Sequence, residues 1–201
     1  EGISKAFAGI KALDNVQIDL RQGEIHALMG ENGAGKSTLM KIMTGVYSRD
    51  SGKMYLQNAS SNQLEEVEIK SPLAAQKLGL SMVFQEFNLL ENMNIAENIF
   101  IGREPLGAGQ TVDKKQLIQN AAVELKKVNL DIDPSTEVSK LSCGQKQCVE
   151  IAKALSFNAR VVVFDEPTAS LSERESQTLF KLIKELKEKG VCIVYISHRM
   201  E

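Results

Sequence analysis

The chain has 201 residues, of which 43% are hydrophobic and 25% are charged, and its formal net charge is −2. These values are typical of one or two globular domains with a sizeable core, and they give no sign of the basic surface that nucleic-acid-binding proteins carry. No apolar run is long enough to predict a transmembrane helix.

The first part of the chain predicts strands. Apolar and polar residues alternate toward the end of Gly9–Leu20, which predicts a strand or a hairpin there. A second strand is predicted over Glu24–Met29, and it leads directly into a glycine-rich stretch.

This stretch fits the phosphate-binding loop pattern G-x-x-x-x-G-K-[ST]. Its residues are Gly30, Glu31, Asn32, Gly33, Ala34, Gly35, Lys36, Ser37 and Thr38. The glycines permit positive φ angles and let consecutive backbone N–H groups approach a polyphosphate. Lys36 adds a positive charge for the β- and γ-phosphates, and the Ser37 hydroxyl is placed to hold Mg²⁺. The sequence therefore predicts a nucleotide site.

Helices and strands alternate after the loop. The predicted elements are a helix over Thr38–Thr44, an edge strand over Lys53–Leu56, a polar surface excursion over Gln57–Lys70, a helix from Pro72 to Leu78 and a buried strand over Leu80–Phe84. A helix directly after the loop suits a phosphate site, because the N-terminus of that helix must face the phosphates.

The middle of the chain has a different pattern. From Glu86 to Lys140 strand signals fade, and apolar residues at helical spacing predict a helix over Asp113–Leu130. We interpret the apolar stripe of this helix as core packing. The sequence thus predicts a helical subdomain over residues 86–140, inserted into an α/β core formed by residues 1–85 and 141–201.

Two acids follow the predicted strand Val161–Phe164 at once. Because ligands bind at the carboxyl ends of parallel strands, Asp165 and Glu166 are predicted at the ligand-binding edge of the sheet. Asp165 can hold Mg²⁺ through water, and Glu166 can accept a proton from a water that attacks the γ-phosphate. A capping box of Ser172 and Glu175 then predicts a helix to Lys189.

Cysteine and histidine are too sparse to predict a metal site. Cys143, Cys148 and Cys192 lack CxxC spacing, and the chain has only His26 and His198 besides. We interpret the cysteines as free thiols in a reducing compartment and His26 as a structural residue. The strand predicted over Val191–Ile196 places His198 just after its end.

Several features in a fixed order make a family resemblance specific. They are the loop at Gly30–Thr38, Gln85 after a strand, Leu141-Ser142-Cys143-Gly144-Gln145, Asp165-Glu166, and His198 after the last strand. Together they resemble the nucleotide-binding domains of ABC transporters over nearly the whole chain. The resemblance implies an α/β fold of the P-loop NTPase type, with a RecA-like, mostly parallel core sheet, an antiparallel β subdomain and an inserted α-helical subdomain.

The resemblance also implies roles in binding and hydrolysing ATP. Ser37 and Gln85 would ligate Mg²⁺ together with Asp165, and Gln85 would also sense the attacking water. Glu166 would be the catalytic base, and His198 would contact the γ-phosphate.

Phe7 lies 29 residues before Lys36. It matches the aromatic residue that stacks on adenine in this family. An ordinary core phenylalanine is the alternative, because stacking and core aromatics look alike in sequence.

The signature segment, Ser142–Gln145, would act on a second site. Its residues Ser142, Cys143, Gly144 and Gln145 fit a capping box for a helix through Ser156. In the family this helix caps the ATP that a second ATPase domain holds, and two domains enclose two ATPs head to tail. The resemblance therefore implies a partner ATPase domain.

Longer matches narrow the resemblance. They lie at Ile3–Leu13, Gly30–Gly35, Gln85–Leu90, Ile95–Glu104, Glu150–Ser156 and Tyr195–Met200. They resemble the N-terminal ATPase half of bacterial monosaccharide importers of the ribose, galactose and xylose type. In that case the chain is a fragment of a polypeptide with two fused ATPase halves, and it lacks the strands that normally finish the domain.

This resemblance implies partners and a location. The partners are transmembrane permease subunits, which should meet Glu86–Arg103, and indirectly a periplasmic or extracellular sugar-binding protein. No nucleic acid is expected. The expected location is the cytoplasmic face of the inner (plasma) membrane, as a peripheral subunit.

Two residues depart from the family pattern. Cys143 stands at the first glycine of Leu-Ser-Gly-Gly-Gln, and we expect ATP hydrolysis to survive this change. Ser172 stands where Ser-Ala-Leu-Asp ends in aspartate. Ser172 can still cap a helix but supplies no carboxylate across the dimer, so we expect altered cross-talk between the two sites.

Three alternatives stay open at this point. They are a non-transport ABC protein that acts on ribosomes or DNA, a nucleoside importer, and a binding module without turnover. The net charge of −2 and the transporter-like segment after Gln85 argue against the first, and an intact Glu166 argues against the third.

Overall fold

A four-stranded parallel sheet forms the centre of the molecule. In the computed structural model, which describes residues 1–58 and 61–197, its strands stand in the order β3-β8-β7-β6. Their bounds are Ile25–Met29 for β3, Leu80–Val83 for β6, Val161–Asp165 for β7 and Cys192–Ser197 for β8. The loop-bearing strand β3 is thus separated from the acid-bearing strand β7 by one strand, β8.

Two antiparallel hairpins accompany the sheet. The first pairs β1 (Ile3–Phe7) with β2 (Ile10–Val16), and the second pairs β4 (Met54–Gln57) with β5 (Leu64–Val67). An isolated β-bridge between Ser4 and Ser51 joins β1 to the segment that precedes β4.

Six α-helices are described. They are α1 (Lys36–Met43), α2 (Pro72–Lys77), α3 (Ile95–Phe100), α4 (Lys114–Lys127), α5 (Cys143–Leu155) and α6 (Glu173–Glu188). Five of them begin at a residue whose side chain accepts a hydrogen bond from the first turn, as expected for serine, asparagine and aspartate caps. These caps are Ser71, Asn94, Asp113, Ser142 and Ser172. The exception is α1, which begins after Gly35.

The sheet is buried on both faces, which explains its β-branched sequences. Along β7, Val162 and Phe164 join a core that includes α5 and α6, whereas Val161 and Val163 join a second core that includes α1. Both hairpins contribute to the second core, the first through Leu13 and the second through the partly buried Leu56.

The predicted fold class is confirmed, with local differences. Residues Leu64–Val67 form strand β5 inside the predicted surface excursion, and α1 begins two residues earlier than predicted. The predicted subdomain boundary at residue 140 stays a prediction. Buried residues of α3 and α4 share one core with α5 and α6, so packing continues across that boundary.

Candidate functional site

The glycine-rich loop between β3 and α1 has the backbone geometry that its sequence predicts. Gly33 and Gly35 have φ angles of 87° and 85°, a region that favours glycine. A Cβ added to Gly35 would lie 2.6 Å from the carbonyl oxygen of Ala12 and 2.8 Å from Leu13 Cδ2. Gly35 therefore lets strand β2 pack directly against the loop.

The start of α1 offers hydrogen-bond donors to an anion. The cap residue Gly35 has no side chain, so the first N–H groups of α1 receive no side-chain cap. The Lys36 ammonium folds back and donates to the carbonyl oxygens of Gly30 (2.6 Å) and Glu31 (2.9 Å). Backbone donors and a lysine thus converge at one helix N-terminus, which is a favourable site for phosphate.

The loop meets the acidic strand at Ser37 and Asp165. The Ser37 hydroxyl donates to Asp165 Oδ1 at 3.4 Å, although 128 residues separate them in sequence. The register explains the contact, because Leu28 of β3 and Asp165 of β7 both stand opposite Ile196 of β8.

Burial raises the pKa of Asp165 above its ordinary value. Glu166 adds to this effect, while Lys41, the Ser37 hydroxyl and Lys36 oppose it. A cation beside Asp165 would offset the cost of burying its charge.

The oxygen donors at this position fit Mg²⁺, which prefers hard oxygen ligands and keeps several waters. Within residues 1–58 and 61–197, no group of three or more His, Cys, Asp or Glu side chains is arranged to hold a metal by itself. A metal at Ser37 and Asp165 would therefore depend on water and on phosphate oxygens as further ligands.

Glu166 has an unusual backbone conformation. Its φ angle is 48°, which is uncommon for a residue with a side chain. Its N–H donates to the carbonyl oxygen of Ile196 at 3.2 Å, and its own carbonyl accepts from the N–H of Ala169 at 3.1 Å. The backbone at Glu166 is thus tied to β8 and to the turn that follows, at the ligand-binding edge of the sheet.

Gln85 follows strand β6, whose carboxyl end lies at the same edge of the sheet as that of β7. Gln85 is exposed and lies two residues after β6. His198 follows Ser197, the last residue of β8, but lies outside the described residues, so its predicted role stays a prediction.

Phe7 ends β1 and is 41% exposed, so it is not an ordinary core residue. Its ring packs edge-to-face against Tyr47, with the ring centroids 5.3 Å apart. Sequence reasoning missed Tyr47. The only signal was an aromatic residue shortly after the end of α1, and spacing alone cannot pair it with Phe7.

The signature segment forms the start of α5. The Ser142 side chain accepts from the N–H of Gln145, and the Gln145 side chain accepts in return from the N–H of Ser142, so the predicted capping box is present. Cys143 is exposed, and the three cysteines are free thiols as predicted. In the described structure no hydrogen bond joins this segment to the loop at Gly30–Thr38.

Sequence reasoning also missed the role of Glu175. The sequence predicts Glu175 only as the partner of Ser172 in the cap of α6, and the structure contains that cap. In addition, its carboxylate accepts a hydrogen bond from the backbone N–H of Gly144 in the signature segment. The cap joins residues three apart in sequence and is predictable, whereas the contact between the starts of α5 and α6 is not.

Helix α5 also holds the segment that follows Gln85. The buried Glu150 carboxylate accepts from the N–H of Asn88, and Lys153 donates to the carbonyl oxygen of Asn88 at 3.3 Å. Burial raises the pKa of Glu150, while the Asn88 bond and Lys153 oppose the change.

Comparison with known proteins identifies the setting of this site. A sequence model of the ABC transporter family matches residues 13–169, more than half of the chain. The ribose import ATP-binding protein RbsA of Chromobacterium violaceum is 50% identical over 201 residues, which is 100% of this chain and 39% of that protein. The chain therefore spans well under half the length of this relative.

Solved structures agree with the sequence comparison. The ADP conformation of MJ1267, an ATP-binding cassette of an ABC transporter, matches with a TM-score of 0.83 and 30% identity, over 100% of this chain and 80% of that one. The dimeric structure of MJ0796, a bacterial ABC transporter cassette, matches with a TM-score of 0.76 and 27% identity, over 100% of this chain and 87% of that one.

Proposed function

The chain belongs to the ABC transporter family, and we propose that it binds Mg²⁺–ATP and hydrolyses it as one ATPase domain of a transporter. The observation that carries this proposal is the contact between Ser37 and Asp165, at 3.4 Å. It places a hydroxyl and a carboxylate together, at the point where the phosphate-binding loop meets the acidic strand.

The loop would hold the phosphates of ATP. Its backbone N–H groups and the N-terminus of α1 attract negative charge, and the Lys36 ammonium would move from the carbonyl oxygens of Gly30 and Glu31 to the β- and γ-phosphates. Phe7 would stack on the adenine base, because its exposed ring stands at the end of β1.

Three oxygen donors, from Ser37, Gln85 and Asp165, would hold Mg²⁺. A bound Mg²⁺ neutralises charge on the phosphates during phosphoryl transfer. The raised pKa of Asp165 supports its place in this set, since a buried carboxylate is stabilised by a cation.

Glu166 would act as the general base. Its backbone N–H donates to the carbonyl oxygen of Ile196, which ties Glu166 to β8. In sequence it directly follows Asp165. There it would accept the proton of the attacking water, which Gln85 would sense. His198 would contact the γ-phosphate.

A second ATPase domain would complete the site. The signature segment of this chain would cap the ATP of that domain, and the reverse contact would close over Lys36. The longer relative supports a second domain in the same polypeptide, and the dimeric form of the MJ0796 cassette supports a paired arrangement.

The transported substrate would be a monosaccharide, with ribose the first candidate from the name of the relative. Residues 86–140 would form the helical subdomain, and Glu86–Arg103 would contact the permease at the cytoplasmic face of the plasma membrane. None of the described helices is long and apolar enough to cross a membrane. A separate sugar-binding protein would deliver the substrate, and no nucleic-acid partner is expected.

Uptake into membrane vesicles tests the transport role. The complete polypeptide would be expressed with the permease and binding-protein genes next to its own, and ATP-dependent uptake of ribose, galactose, xylose and a nucleoside would be measured. We expect uptake of a monosaccharide. Lys36→Ala should abolish this uptake, whereas Lys181→Ala, on the exposed face of α6, should leave it unchanged. Uptake of the nucleoside alone would contradict sugar import.

A further inference from the structure

Two residues outside the β1–β2 hairpin contact Phe7 or the residues directly before it: Tyr47 packs against the Phe7 ring, and Asp50 bonds Ser4, Lys5 and Ala6. We infer that Tyr47 and Asp50 position the Phe7 ring for the adenine base, and so determine the part of ATP affinity that depends on the base. This inference rests on the proposed function, because it takes ATP as the ligand of the loop.

Tyr47 supports the ring of Phe7 from the side. The two ring planes make an angle of 68° and the centroids lie 5.3 Å apart, a favourable aromatic geometry. The backbone N–H of Tyr47 donates to the carbonyl oxygen of Lys41 at 3.1 Å, so the tyrosine is anchored to α1. The helix that begins at the phosphate loop therefore also carries the support for Phe7.

Asp50 holds the strand that ends at Phe7. Its carboxylate accepts from Lys5 Nζ at 2.7 Å and from the N–H of Ala6 at 2.7 Å. Its own N–H donates to the carbonyl oxygen of Ser4 at 3.0 Å. One aspartate thus binds three consecutive residues of β1 directly before Phe7. The hydrogen bond from Lys5 also lowers the pKa of Asp50 below its ordinary value.

The Lys5 ammonium contributes to the same cluster. Asp50 holds it 5.5 Å from the centroid of the Phe7 ring, within the range of a cation–π contact. The Lys5 side chain is only 13% exposed, so its position is more restricted than that of a surface lysine. Phe7 itself stays 41% exposed, which leaves ring surface available to a planar base.

The base and the phosphates can be separated experimentally. The phosphate site consists of backbone N–H groups and Lys36, whereas the Phe7 cluster is aromatic and would contact only the base. Inorganic tripolyphosphate carries the phosphates without a base. Variants of the cluster should therefore weaken ATP binding and leave tripolyphosphate binding unchanged.

The experiment is calorimetric titration of the chain with ATP and with tripolyphosphate, each with Mg²⁺. We expect Tyr47→Ala to weaken ATP binding about 2- to 13-fold, the range of a typical aromatic pair, and to change tripolyphosphate binding by less than about twofold. Tyr47→Phe keeps the ring and should restore ATP affinity. Asp50→Ala should act in the same direction as Tyr47→Ala.

The chain offers matched controls. Tyr55 on β4 is exposed to a similar extent as Tyr47 (39% and 37%), so Tyr55→Ala should leave both affinities unchanged. Asp14 forms an exposed ion pair with Lys11 on β2, at 2.9 Å, so Asp14→Ala controls for loss of an ion pair in the same hairpin.

The possible results separate this inference from the proposed function. If Tyr47→Ala lowers the affinities for ATP and tripolyphosphate equally, or leaves ATP affinity unchanged, the positioning role is overturned and the proposed function is not. Failure of the unchanged chain to bind either ligand would overturn the proposed function and the inference with it. If thermal melting shows that Tyr47→Ala is not folded, Tyr47→Leu replaces it, because leucine preserves apolar packing without the ring. The same result is expected for Tyr47→Leu.

Discussion

The Glu175 carboxylate, in the first turn of α6, accepts a hydrogen bond from the backbone N–H of Gly144 in the first turn of α5, at 2.9 Å. It also accepts from the N–H and the hydroxyl of Ser172, at 3.0 and 2.7 Å. A Cβ at Gly144 would lie 2.6 Å from Glu175 Oε1, so a side chain there would displace the carboxylate from its present position. One acid therefore serves the N-termini of two helices, where negative charge is favourable.

Removal of the Glu175 side chain should destabilise both helix ends. We expect Glu175→Ala to lower the free energy of unfolding by about 1–2 kcal/mol, because the donors of Gly144 and Ser172 lose their acceptor. Glu175→Gln should lose less, since glutamine also serves in a capping box. Glu173→Ala is the control, because Glu173 is exposed and its side chain bonds Gln177 of its own helix rather than another element in the described part of the chain. Equal losses at positions 173 and 175 in urea unfolding would contradict this role.

The same carboxylate predicts a pH dependence. Hydrogen bonds from the Ser172 hydroxyl, the Ser172 N–H and the Gly144 N–H lower the pKa of Glu175 in the folded chain. Its stabilisation is therefore present above the unfolded pKa of about 4.3 and is lost as the pH falls through the folded pKa. The difference in unfolding free energy between the unchanged chain and Glu175→Gln should be constant near neutral pH and shrink below about pH 4.5. A difference that stays constant to pH 3 would exclude this linkage.

Two glycines of the loop should respond differently to alanine. Gly33 and Gly35 have nearly equal positive φ angles, but a Cβ at Gly33 meets nothing within 4 Å, whereas one at Gly35 meets the backbone of Ala12. We expect Gly33→Ala to cost about 1–2 kcal/mol of stability, from backbone strain alone. Gly35→Ala should cost more, because β2 must also move away from the loop. Similar losses for both variants in chemical denaturation would show that this packing is not needed.

Glu150 should tolerate loss of its charge but not of its hydrogen bond. Burial raises the pKa of Glu150 above its unfolded value. Its ionisation therefore costs stability as the pH rises from the unfolded pKa through the folded pKa. Glu150→Gln keeps an acceptor for the N–H of Asn88 and should keep or raise stability at pH 7. Glu150→Ala leaves that N–H without its acceptor and should lose about 1–3 kcal/mol. Equal losses for the two variants in urea unfolding would contradict this assignment.

Much of the fold follows from local signals in the sequence. The run Val161–Phe164 predicts a strand buried on both faces, and the capping boxes at Ser142 and Ser172 predict the starts of α5 and α6. The contact between Ser37 and Asp165 follows from a general rule, because parallel strands bring their carboxyl ends to one edge. These features were predictable since each depends on residues close in sequence or on sheet topology.

Other features depend on contacts that local patterns do not contain. Strand β5 carries Glu65 and Glu66, which hide its alternation, and it is a strand through its antiparallel pairing with β4. The pair of Phe7 and Tyr47 needs β1 and the segment after α1 to lie side by side. No sequence spacing predicts either arrangement.

The central claim is that Glu166 is the base of an ATPase site shared between two domains. Its most direct test is the rate of ATP hydrolysis by the complete polypeptide, assembled with its permease, for Glu166→Gln and for Glu188→Gln at the exposed end of α6. We predict that Glu166→Gln lowers turnover about 10²- to 10⁴-fold while ATP still binds, and that Glu188→Gln has no effect. Near-normal turnover in Glu166→Gln would contradict the claim.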